Sequence, residues 1–365
     1  MEVQKGRQMI SLTKSQLTSL MISMILIRLY LSLPREMLVC AGNSAWILII
    51  YLTILGLLLF LAVSYSYRQN ESILDIAENV GGRVFKIITG IFATALILVK
   101  TSGHIKLFIE SIQIVLLQNS ETELIVICLG IALIVGAYAG IESLSIISGL
   151  FLPIVITVLL GFSIFLIRDM DINNLTPLLG TGAKSIFIDG LRLLYVFGDL
   201  FLLNFLLPYC KEDDVLKKSG IKAIIFNGLI FLVFMIVYSG IFPYPVSSEY
   251  IIPIFQLTRI VEIGDFFGRL EAFFEFVWAI SFFIYGAVNI WVLSNIWKIT
   301  FDLKYREPII IPMCVFALGI GFLEPNIHKM INGSVVFSWI IIASAFFVPI
   351  IYGVLAVIKE KIDNL

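Results

Sequence analysis

Charge is what this chain has least of. Only 14% of its 365 residues are Asp, Glu, Lys or Arg, and 25 basic against 26 acidic side chains leave a net charge of −1. So flat a balance offers no polyanion-binding surface, and nucleic acid is excluded as an expected partner. Histidine is scarcer still, with only His104 and His328, and the four cysteines, Cys40, Cys128, Cys210 and Cys314, lie far apart without C-x-x-C spacing. Zinc, haem and disulfide frameworks need more ligands or tighter spacing, so no metal and no cofactor are expected, and the cysteines read as buried thiols. There is no phosphate-binding glycine loop, nucleophile elbow or H-E-x-x-H helix, and the polar loops are too short for a catalytic domain, so the chain does not read as an enzyme. Its N-terminus, MEVQKGRQMISLTKSQ, is polar for too long and lacks a small-residue cleavage site, which predicts no cleaved signal peptide.

What abounds is apolar surface: 59% of the residues are hydrophobic, and the mean hydropathy is +1.02. That composition implies an all-α integral membrane protein embedded in a lipid bilayer. With about 20 apolar residues per crossing, about ten spans are expected: Ser15–Cys40, Trp46–Tyr65, Phe85–Leu117, Leu124–Ala139, Ile146–Ile167, Ile186–Leu207, Ile221–Phe242, Leu270–Trp297, Ile309–Phe322 and Val335–Val357. The polar stretch Tyr67–Arg83 reads as a loop with a short amphipathic helix carrying Ile73, Ile76, Ala77 and Val80. With the N-terminus inside, the inner segments hold fifteen of the 25 Lys and Arg, the outer segments six and the spans four. Cytoplasmic loops collect positive charge, so both termini and the Lys211–Lys222 loop are expected inside and the Tyr244–Gly268 loop outside.

The spans divide five and five, residues 1–168 and 169–365 of one membrane domain. The first span is interrupted before Pro34 and the sixth at Phe197-Gly198-Asp199, and each opens its half. Two such units of opposite entry side form an inverted repeat, whose broken helices meet near the midplane, where transporters hold their ligands.

Charged and polar residues inside spans mark candidate sites, because lipid cannot satisfy them. Arg28 needs a partner: a ligand carboxylate, an ion pair with Asp199 or another carboxylate, or a route to the interface. Lys100 and His104 are four apart on one face of the third span, expected to line the central cavity, whereas Lys106 and Glu110 read as a local ion pair. Asp189, Arg192, Tyr195 and Asp199 recur along the sixth span as a polar stripe, with Gly198 at its break. On the eighth span Glu275 follows Glu271 by one turn, and Trp278 and Ser281 continue that side. The expected ligand-binding set is Arg28, Ser32, Lys100, His104, Tyr195, Gly198, Asp199, Glu275 and Ser281.

Several stretches, in order along nearly the whole chain, resemble the B subunit of bacterial spore-germination receptors, a branch of the amino acid–polyamine–organocation transporter superfamily. They are Leu33-Pro34-Arg35, Gly140-Ile141-Glu142, Asp171-Ile172-Asn173-Asn174-Leu175 with Pro177, Leu179-Gly180 and Gly182, then Phe197-Gly198-Asp199, Leu207-Pro208, and Arg269-Leu270-Glu271-Ala272-Phe273 leading to Trp278. The resemblance implies a nutrient-sensing subunit in the inner membrane of a dormant spore, working with an A subunit and a lipoprotein C subunit and binding a small nutrient such as an amino acid. A proton- or sodium-coupled amino acid transporter is the alternative on the same scaffold. The chain departs from the family pattern at Ile27-Arg28-Leu29, bulky and charged where the first helix of amino-acid-binding members would unwind, so Arg28 would have to replace the lost backbone donors.

Overall fold

The computed structural model describes residues 12–31, 33–66, 71–117, 119–210, 214–250, 252–260, 270–323 and 334–363. Helix α1 (Lys14–Tyr30) starts at a capping box, in which Thr13 accepts from the Gln16 N–H and the Gln16 side chain reaches back to Thr13. It ends where Pro34 dictates. Proline has no N–H to give to the carbonyl four residues earlier, that of Tyr30, and its ring would collide with that carbonyl. Leu31 leaves helical geometry at φ −90°, ψ −138°, and α2 (Leu33–Ala41) restarts with Pro34 in its first turn. The interruption therefore falls at Leu31, whereas Ile27-Arg28-Leu29 stays helical.

Helix α3 (Ala45–Ser64) turns a stripe of Ile50, Ile54 and Leu58 outward. In a chain this apolar, such a stripe is a lipid face. Helix α4 (Ile73–Val115) opens with a second capping box, Ser72 with Asp75, and kinks at Gly82, whose φ of +75° favours glycine. Residues ahead of that kink form the expected amphipathic piece, joined to the span rather than separated from it by a loop. Helix α5 (Thr122–Leu166) is 45 residues, roughly 68 Å at 1.5 Å per residue, more than twice the hydrocarbon thickness. Gly140, at φ +89°, is where it changes direction, so the fourth and fifth expected spans are two arms joined at a glycine.

After α6 (Ala183–Phe187) the chain takes a 3-10 helix over Asp189–Leu202, followed by the single turn α7 (Leu203–Leu206). This corrects the expected break at Gly198: the 3-10 coil runs through it. Gly198 instead allows close approach, since a Cβ there would lie 2.2 Å from Ile341 Cγ2. The remaining elements are α8 (Asp214–Ile241), α9 (Val246–Glu249), α10 (Pro253–Ile260), α11 (Leu270–Thr300), α12 (Glu307–Gly321), α13 (Ser334–Ile342) and α14 (Val348–Asp363), with a π turn at Ala343–Phe347 between the last two. Six helical stretches among the described residues are long and apolar enough to cross a bilayer. Helix α1 sits centrally, packed against α5, α8, α11 and the 3-10 helix, while α4 packs on α11 and α12. The four cysteines are free, but Cys128 is exposed and Cys210 half-buried; an apolar run does not reveal which of its residues face lipid.

Candidate functional site

The charged centre assembles from three elements. Arg28, in the last turn of α1, donates from Nε and Nη2 to Asp199 Oδ2 at 3.2 and 3.0 Å. Lys100 of α4 donates from Nζ to Asp199 Oδ1 at 2.5 Å. Asp199 is fully buried, and Arg28 and Lys100 are 2% and 6% exposed. Each carboxylate oxygen is thus held by a different cation, which is how a charge is kept at this depth. With all three ionised, two cations share one carboxylate and one positive charge is left over.

Aromatic groups surround this triad. The Arg28 guanidinium lies over the Tyr195 ring, 4.9 Å from its centroid, and Lys100 Nζ is 5.6 Å from that of Tyr285. Both contacts are attractive to a cation. His104 Nδ1 is 2.5 Å from the Tyr285 hydroxyl, so the Lys100–His104 face of α4 meets α11 as well as the 3-10 helix. The Tyr195 hydroxyl donates to Glu36 Oε1 of α2 at 2.9 Å, bridging the far side of the first break to the element carrying Asp199.

The expected site residues divide. Arg28, Lys100, His104, Tyr195 and Asp199 converge as described, and Gly198 is beside them with a packing role. Ser32 lies outside the described residues, as do Arg269 and the side chain of Glu271. Ser281 is buried and donates to the Val277 carbonyl one turn back at 3.1 Å. Glu275 is buried on α11 ten residues before Tyr285, about 15 Å along the helix, beside Tyr30 rather than Arg28. The polar stripe of the sixth span also splits. At three residues per turn Asp189, Arg192 and Tyr195 share a face, while Asp199 is rotated off it. Asp189 and Arg192 accordingly line a groove of about 510 Å³ with Cys40 and Trp339, away from the triad. Lys106 and Glu110 form their local pair at 3.9 Å.

Tyr285 was missed by sequence reasoning, although the spacing 271, 275, 278, 281 continues to 285 and signals the same side of α11. Tyr30 and Glu36 carried no signal beyond their nearness to Pro34.

Residues 11–333 match the spore germination protein family of permeases. The chain belongs to that family. It is similar to spore germination protein A2 of Bacillus subtilis (strain 168), 24% identical over 344 residues that cover 92% of each chain. Spore germination protein B2 of the same organism is 19% identical over 265 residues, 72% of each. Spore germination protein XB of Bacillus anthracis is 24% identical over 279 residues, 74% of this chain and 76% of that one. The protein is accordingly a multi-pass membrane member of the spore germination permeases, and that family is not an enzyme class.

Proposed function

We propose that the protein is the integral membrane subunit of a nutrient-germinant receptor, binding a small nutrient, an amino acid by preference, at the Arg28–Asp199–Lys100 centre. The carrying observation is the charge balance of that centre: two buried cations share one carboxylate. A ligand carboxylate neutralises the surplus charge, and the Tyr195 and Tyr285 rings and His104 supply walls of mixed polarity. Binding shifts the receptor only through different affinity for two conformations. The break between α1 and α2 and the 3-10 helix are the elements that such a change would move. The 5+5 reading takes α1 with α2 as one span, α5 as two arms, and the 3-10 helix with α6 and α7 as the sixth span. The kinship with germination proteins A2, B2 and XB supports a receptor complex, read here as one with an A subunit and a lipoprotein C subunit in the spore inner membrane, and the fifteen-to-six split of Lys and Arg between inner and outer segments supports cytoplasmic termini.

The test is a titration of the assembled receptor with a panel of amino acids. Saturable binding that competes with simple carboxylates and is lost in Lys100→Met supports the reading. Sustained, gradient-driven amino acid uptake by the chain alone in proteoliposomes would replace it with the transporter.

A further inference from the structure

The groove of about 510 Å³ that holds Asp189 and Arg192 lies between the end of α2, the start of the 3-10 helix and the start of α13. Two of its walls are joined: the Cys40 thiol of α2 donates to the Ser185 carbonyl of α6 at 3.1 Å. Its rim is apolar and open, with Ile188, Val39, Trp339 and Val335 at 59%, 51%, 47% and 38% exposed. Within that rim stand two charges of opposite sign, Asp189 exposed and Arg192 half-buried. Three residues apart, they share one face of the 3-10 helix and leave its axis about 6 Å from each other. Neither makes a hydrogen bond or an ion pair, with the other or with any group among the described residues.

The lining residues also share a depth. Cys40 ends the first expected span, Ile186 and Val335 begin the sixth and the tenth, so the groove sits where helices leave the hydrocarbon and lipid headgroups begin. Trp339 at its edge suits that depth, since tryptophan collects at membrane interfaces. A guanidinium holds a phosphate through two parallel N–H donors, and a carboxylate accepts from a primary ammonium. A trimethylammonium has no N–H to donate and is held by aromatic cages, of which the groove has a single ring. An anionic headgroup would gain Arg192 but bring its own charge against Asp189. A free amino acid keeps its two charges one carbon apart and would leave the apolar rim uncovered. In phosphoethanolamine an oxygen and two carbons separate phosphorus from nitrogen, and the attached acyl chains cover the rim.

We propose that this groove binds the headgroup of one phosphatidylethanolamine molecule, with Arg192 on the phosphate, Asp189 on the ammonium and the acyl chains along Val39, Ile188 and Trp339. Its volume is within the range of small-molecule sites. A lipid seated there bridges α2, the 3-10 helix and α13. Tyr195, one turn beyond Arg192 on the same face, donates to Glu36 of α2, so the lipid and this hydrogen bond would join the same two elements. The site is separate from the triad and does not depend on the nutrient reading.

The experiment is native mass spectrometry of the purified full-length chain, stripped of lipid in detergent. It counts bound lipid during titration with phosphatidylethanolamine, phosphatidylcholine and phosphatidylglycerol of identical acyl chains. Expected is one phosphatidylethanolamine per chain, held about tenfold more tightly than either of the others. Asp189→Asn, a change at an exposed position, should reduce that preference to under about threefold, whereas Arg192→Gln should weaken all three lipids by about tenfold. Should Arg192→Gln fail to fold, Arg192→Lys replaces it, keeping the charge without the two parallel donors, with a loss of roughly threefold. Equal binding of the three lipids, or an unchanged preference in Asp189→Asn, would overturn the proposal. Displacement of bound phosphatidylethanolamine by free glycine would overturn it too and make the groove an amino acid site.

Discussion

Arg28 and Tyr30 leave the same turn of α1 and meet opposite conditions. On the Arg28 side both cations have a carboxylate oxygen on another element, with the two oxygens of Asp199 engaged at 2.5 to 3.2 Å. On the Tyr30 side a carboxylate just as deeply buried has an oxygen that no protein group bonds. The difference teaches what each face contributes. A matched triad ties α1, α4 and the 3-10 helix into one arrangement, so its loss should act first on stability. An unmatched carboxylate costs stability rather than adding to it, so its removal should not weaken the fold.

Four substitutions break or sharpen that contrast, in descending order of effect. Asp199→Leu strands two buried cations at once. Removing one partner of a buried pair costs about 3–5 kcal/mol, so this variant should fail to accumulate in membranes, as quantitative immunoblotting would show; a wild-type amount would mean that the triad does not hold the helices together. Gly198→Ala places a methyl within 2.2 Å of Ile341 Cγ2. Overpacking of this kind costs about 1–3 kcal/mol, and trimming the neighbour in Gly198→Ala with Ile341→Ala should recover part of it in a thermal double-mutant cycle. Lys100→Met leaves Arg28 and Asp199 as a balanced pair, so stability should fall by about 1 kcal/mol while nutrient-triggered germination is lost. Germination at wild-type nutrient concentrations would separate the surplus charge from ligand binding. Glu275→Gln should weaken the fold least, with no loss beyond about 0.5 kcal/mol; a loss of several kcal/mol there would show that the carboxylate is matched after all.

Much of the fold was legible because hydropathy and helix-breaking chemistry are local. The membrane class, the polar insertion before the third span and the interruption ahead of Pro34 all follow from runs of residues and one missing N–H. The pairing of Arg28 with Asp199 stood open beside a ligand role, because both follow from the same burial cost. What stayed hidden depends on conformation or distant neighbours. The spacing 189, 192, 195, 199 makes one stripe on an α-helix, and only the 3-10 winding sends Arg192 and Asp199 to different places. That Lys100 would share Asp199 with Arg28 required knowing that three elements meet, which no local pattern states. Gly140 was expected between two spans, and its backbone at φ +89° is where the two arms of α5 join.

The coil that carries Asp199 has a mechanical property of its own. A 3-10 helix rises about 2.0 Å per residue against 1.5 Å in an α-helix, so the fourteen residues of Asp189–Leu202 reach about 7 Å farther than they would as an α-helix. Rewinding even one turn would retract the end bearing Asp199 along its own axis and swing its carboxylate sideways, loosening Arg28 and Lys100 in one stroke. Arg28 and Lys100, by holding Asp199, fix the reach of this longer coil.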